Sequence, residues 1–215
     1  MTNTDDSLIL WYFADPMCSW CWGFSPVITQ IKKEFEGRFR IALNLGGLRP
    51  GTAKPLSKSM REEILHHWQE VNRLTGQHFK FEEALPEGFI YDTEPASRAV
   101  LAFGKLNPKA TLDYFSAIQK VFYTEGKDVT QADVLAELTV PFAVDKNEFM
   151  VLFQSDKLKQ DTRSHFIQTR QAGVTGFPTV IWQDGDMAEV LCVGYRPYDV
   201  IAEKIKEKLS NHTGT

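Results

Sequence analysis

An uninterrupted apolar run, Leu8-Ile9-Leu10-Trp11-Tyr12-Phe13-Ala14, ends only a few residues before Cys18-Ser19-Trp20-Cys21. A run of this length and composition reads as a buried strand. The residues from Cys18 onward read as a helix reaching about Glu36, with Gly37 as its stop. The short turn Asp15-Pro16-Met17 then sets Cys18 at the helix N-terminus, where unpaired backbone N–H groups and the helix dipole favour negative charge. A thiol held there is expected to lose its proton more readily, and the thiolate is the reactive form of cysteine. Cys21 falls about one helical turn further on, close enough to close a disulfide with Cys18. A nucleophilic thiol with a resolving partner one turn away is the working part of a dithiol–disulfide oxidoreductase. Residues 38–45 alternate, with Phe39, Ile41, Leu43 and Leu45 on one face, and so complete a parallel strand–helix–strand unit.

Two other readings of the cysteine pair need weighing. Structural zinc needs four ligands, and the remaining cysteine, Cys192, stands alone on an apolar stretch with no second Cys or His pair at ligand spacing. No metal site is expected. Both cysteines could instead be inert core residues, since free Cys is often buried; that is the reading given to Cys192.

A second feature lies far along the chain, in Gly173-Val174-Thr175-Gly176-Phe177-Pro178-Thr179-Val180-Ile181-Trp182. A proline at the head of an apolar strand cannot donate to a sheet ladder. With the Cys18–Cys21 stretch and the length between them, Pro178 resembles the DsbA branch of the thioredoxin superfamily. The nearest likeness is to its cytoplasmic protein-disulfide isomerases and oxidoreductases, themselves related to the 2-hydroxychromene-2-carboxylate isomerase branch. That resemblance implies an α/β, thioredoxin-like fold interrupted by an all-helical insertion. It implies a cis peptide before Pro178, packed against the cysteines, with the Phe177 backbone free to pair with an extended substrate. It places Pro26 where such helices carry a kinking proline. Relatives often hold a buried carboxylate six residues before the first cysteine; here that position is Tyr12, which leaves the proton-transfer group to Asp15 or a water. They also suggest that Cys18 is the nucleophile and Cys21 the resolving thiol, with Trp20, Phe177 and Pro178 against substrate. Trp22 is read as core.

The domain boundaries follow from the pattern. Residues 1–50 and 173–215 form the two parts of the thioredoxin-like unit, and 51–172 read as helix after helix. Ser59-x-x-Glu62 is a capping box leading into Met60, Ile64, Trp68, Val71 and Leu74. Thr93-Glu94-Pro95, Asn107-Pro108, Thr130-x-x-Asp133, Asp145-x-x-Glu148 and Ser155 open further helices. The helix after Pro108 presents Leu112, Phe115, Ile118 and Phe122. Asp184-Gly185 signals a hairpin between strands at 179–182 and 189–193. The last helix is amphipathic through Val200, Ile201, Ile205 and Leu209.

Composition narrows the function. The 215 residues are 43% hydrophobic and 12% aromatic with a net charge of −4, and they hold no basic run or patch, which speaks against nucleic acid or an anionic membrane surface. No apolar stretch approaches a membrane span. The polar, acidic start at residues 1–7 lacks the features of a secretory signal, so a cytoplasmic location is expected. There a disulfide centre is more often transient and catalytic than structural. The five histidines share no spacing with the cysteines, and His66-His67 reads as a solvated pair. The expected activity is reduction or isomerisation of protein or small-molecule disulfides, with no bound cofactor and with glutathione or another thiol as electron donor. The alternatives are a glutathione-dependent isomerase or transferase, which in related proteins carries serine where Cys18 stands, and a non-catalytic redox-sensing module that binds peptides.

Overall fold

Strand β1, Leu8–Ala14, lies at the centre of a four-stranded sheet. It pairs in parallel with β2, Arg40–Leu45, and antiparallel with β3, Thr179–Asp184. β4, Met187–Val193, completes the order β2-β1-β3-β4. In this register Tyr12 stands between Leu43 and Val180, and Trp11 between Ala42 and Ile181. The structure is a computed structural model that describes residues 8–82 and 84–213. The acidic stretch 1–7, on which the cytoplasmic expectation rests, lies outside the described residues.

Helix α1, Ser19–Glu34, follows β1 directly, and α8, Tyr198–Thr213, packs beside it and against β4. Between β2 and β3 come six α-helices: α2 Lys58–Thr75, α3 Glu94–Leu106, α4 Thr111–Lys120, α5 Ala132–Glu137, α6 Lys146–Gln154 and α7 Asp156–Gln171. The last of these crosses back over β2, where Asn44 Nδ2 donates to Thr169 Oγ1 at 2.7 Å. One continuous buried cluster runs from Leu10 and Phe24 through Trp68, Phe103 and Phe149 to Ile205, so the helical stretch and the sheet share a core.

Several local expectations change. The N-cap of α2 is Ser57, whose hydroxyl accepts from Met60 N–H, rather than Ser59; Met60 and Leu74 are exposed. Thr130 does not cap α5; Asp128 holds both its N–H and its hydroxyl. Val200 is exposed, and Ala202 is the buried residue on that face. On β2, Ala42 and Asn44 are buried while Ile41 and Leu43 are half-buried, because α7 covers the face read as outward. Asp145 and Ser155 cap α6 and α7 as expected.

Beyond α4 the chain makes a π-helical turn, Val121–Glu125, closed by Gly126 at φ +71°. The wider turn brings Val121, Phe122 and Tyr123 inward consecutively, which a 3.6-residue period does not anticipate. Residues 76–82 and 84–93, which carry no helix, also contribute core, with Phe79, Leu85 and Tyr91 buried.

Candidate active site

Cys18 is the N-cap of α1, in extended backbone at φ −91° and ψ 117°. Its N–H closes the preceding turn on the Asp15 carbonyl at 3.1 Å. The Asp15 side chain, fully buried, fastens that turn: Oδ1 accepts from Met17 N–H at 2.9 Å and Oδ2 from Leu48 N–H at 2.7 Å. Burial pushes this carboxyl up to about 6, against the pull of those two N–H groups and the nearby Thr93 hydroxyl.

The helix N-terminus places the Cys18 thiol as expected, but its side chain makes no bond to the helix amides. The thiol instead donates to the Phe177 carbonyl at 3.6 Å. The Phe177–Pro178 peptide is cis, Pro178 is buried, and its carbonyl accepts from Gly194 N–H at 2.7 Å. The Phe177 ring lies across Gly46, where a Cβ would come within 2.1 Å of its Cζ. Cys18, Phe177 and Pro178, 159 residues apart in the case of the bonded pair, therefore meet at one point. Trp20, two residues along α1, is half-buried against the core. The Phe177 carbonyl, read from sequence as available to substrate, is occupied by the thiol.

Cys21 lies deeper. It is wholly buried, and burial first, then the neighbouring Cys18, holds its thiol well above the ordinary range. Neither cysteine is in a disulfide. Cys192 lies on β4, buried, its thiol pushed up to about 11 by burial.

Three tyrosines that sequence reasoning did not gather close the inner side. Tyr12 and Tyr123 are fully buried with hydroxyls that find no partner of normal geometry. Tyr91 donates to the Met17 carbonyl, and the Tyr123 hydroxyl lies beside it. The signal for Tyr12 was its place in β1; Tyr91 and Tyr123 sit in the helix-free stretch and the π-helical turn, where periodicity carries no information.

The helical stretch grips α1. Pro26 lacks an N–H, so the Trp22 carbonyl is left without its helical donor. Gln77 Nε2 supplies one at 2.9 Å. Trp22 Nε1 donates to the His78 carbonyl at 3.1 Å, its ring stacks on Tyr123 at 6.1 Å, and Gly23 lets α2 approach so closely that a Cβ would meet Val71 Cγ1 at 2.8 Å. Trp22 is a core residue, as expected. His66 and His67 pair with Glu70 at the surface. Among the described residues no group of three or more His, Cys, Asp or Glu is arranged to hold a metal, and no helix is long and apolar enough to cross a membrane.

A sequence model of the DSBA-like thioredoxin domain matches residues 9–206. The chain belongs to that family. Among solved structures it is similar to a candidate protein disulfide isomerase from Nitrosomonas europaea, at 42% identity and TM-score 0.91, covering 95% of this chain and 98% of that one. It is also similar to the cytosolic disulfide reductase DsbM from Pseudomonas aeruginosa, at 25% identity and TM-score 0.78, covering 93% and 98%. Among curated proteins it is similar to the ClpXP adapter protein SpxH of Halalkalibacterium halodurans, at 22% identity over 94% of this chain. It is 26% identical to the Bacillus subtilis SpxH over 66% of this chain. The chain spans 68% of the length of the first of these adapters and 47% of the second. The match to the DSBA-like family and the likeness to these solved structures support a thiol–disulfide oxidoreductase fold.

Proposed function

We propose that this protein is a cytoplasmic disulfide reductase that works through a mixed disulfide on Cys18. The observation that carries the reading is the pair of free thiols at the start of α1, the outer one lying against the carbonyl before cis-Pro178. In the forward direction the Cys18 thiolate attacks one sulfur of a substrate disulfide, and the other sulfur leaves as a thiolate. Cys21 loses its proton and attacks Cys18, releasing the second substrate thiol and leaving a Cys18–Cys21 disulfide. The substrate gains two electrons and the protein loses two; two equivalents of a thiol such as glutathione then restore the dithiol.

The likeness to DsbM, one structure of which is with GSH, supports both the reducing direction and glutathione as the donor. Trp20 and the Phe177 ring would flank the substrate. A complete cysteine pair favours this reading over a glutathione-dependent isomerase. A second reading, an adapter that binds a protein partner, is supported by the SpxH relatives.

The test poises the protein in glutathione buffers and follows the Cys18–Cys21 pair. A reversible pair with a potential near about −270 mV supports a reductase, and one near about −180 to −120 mV an isomerase or oxidant. Failure to form a reversible pair removes the oxidoreductase reading and brings the adapter forward.

A further inference from the structure

The geometry points to Tyr12 as the hydrogen-bond donor that receives the Cys21 sulfur as it becomes a thiolate, and we propose it as a catalytic residue of the resolving step. This rests on the oxidoreductase reading above. Tyr12 is fully buried at the centre of the sheet. Its ring is fixed between Phe24, one turn beyond Cys21 on α1, at 5.7 Å, and Phe115 of α4 at 6.1 Å. Its hydroxyl forms no hydrogen bond in the resting dithiol, with the Cys21 side chain within its reach.

A buried donor with nothing to bond costs free energy, and it persists here at the reacting sulfur. A thiol is a weak acceptor and a thiolate a strong one. The Tyr12 hydroxyl therefore gains little in the resting dithiol and much when charge develops on Cys21, which is the differential that lowers a barrier. Asp15 cannot supply this donor, because its carboxylate already accepts from Met17 and Leu48. Burial keeps the Tyr12 phenol neutral, so the donor is present throughout the working range.

The electron count of the step is unchanged by this role. The Cys21 proton leaves to solvent base, its lone pair forms the bond to Cys18 Sγ, and the bond from Cys18 to the substrate sulfur breaks. The groups facing Cys21 are Tyr12 from β1, Asp15 from the turn, Cys18 on α1 and Tyr123 from the π-helical turn; Cys192 on β4 acts on Tyr12.

The experiment mixes the reduced protein with a chromogenic aromatic disulfide, which releases one coloured thiolate when Cys18 attacks and a second when Cys21 resolves. Tyr12→Phe should leave the first phase unchanged and slow the second by about tenfold near neutral pH. The deficit should close at alkaline pH, where Cys21 ionises without help. An unchanged second phase, a deficit independent of pH, or an equal slowing in Tyr123→Phe would each overturn the proposal. If the wild-type protein never releases the second thiolate, the oxidoreductase reading itself fails.

Discussion

Cys18 and Cys21 are one helical turn apart and live in different surroundings. Cys18 meets the backbone carbonyl that precedes a cis-proline. Cys21 is wholly buried, with Cys18, Asp15 and Tyr12 as the polar groups that act on it or feel it. The contrast teaches that the two halves of a thiol exchange ask for different environments. On the proposed reductase reading, attack on the substrate falls to Cys18 and resolution to Cys21, whose charge is supported only while it forms.

Thiol labelling should show this division most strongly. In the reduced protein Cys18 should alkylate roughly a hundredfold faster than Cys21 or Cys192 near neutral pH, followed by peptide mass analysis. Cys18 and Cys192 have nearly equal residue exposure, 5% and 6%, so access alone does not predict the difference. The setting does: Cys18 stands at a helix N-terminus, whereas the surroundings of Cys192 on β4 hold its thiol up at about 11. Equal rates would erase the comparison.

The turn between the two environments should titrate. Asp15 binds its proton more tightly in the folded protein than in the unfolded chain, so its contribution to stability is full below pH 3.8 and is lost as pH rises through about 6. Its share should come to about 3 kcal/mol less stability at neutral pH than at the acid end. Denaturant unfolding across that range, with Asp15→Asn as the reference lacking the titration, checks it.

Gly46→Ala should disturb the outer side selectively. The added methyl would displace the Phe177 ring at a cost of about 1–3 kcal/mol. The first phase of thiolate release should slow more than the second; equal slowing would show that the two sides are not independent. The smallest effect belongs to Gln77→Ala, which strips the Trp22 carbonyl of its donor. It should lower stability by about 1 kcal/mol, read as a drop in thermal midpoint, with the outer side untouched.

The outer side was legible in the sequence and the inner side was not. An apolar run, two cysteines at a turn's spacing and a proline at a strand head are local signals, and each settled in the expected element. The meeting of Cys18 with Phe177 was implied by the resemblance, since nothing local links them. Tyr12 was noticed only as a missing carboxylate. Tyr91 and Tyr123 were invisible because their positions depend on an irregular stretch and a π-helical turn, both set by tertiary packing around Trp68 and Phe79. Ser57 outcompeted Ser59 as a cap for a similar reason: two serines offered the same chemistry, and the path of the chain selected one.

The grip of residues 71–78 on α1 turns a sequence insertion into a lever. Val71 meets Gly23, Gln77 holds the Trp22 carbonyl and the His78 carbonyl holds the Trp22 indole, all within one turn of Cys21. A force applied to α2, by a docked partner or by an engineered tether, is delivered to the helix that carries both thiols. The helical stretch is thereby a handle on the two thiols, and on the proposed reductase reading, grafting or trimming it would retune the exchange reaction without touching a cysteine.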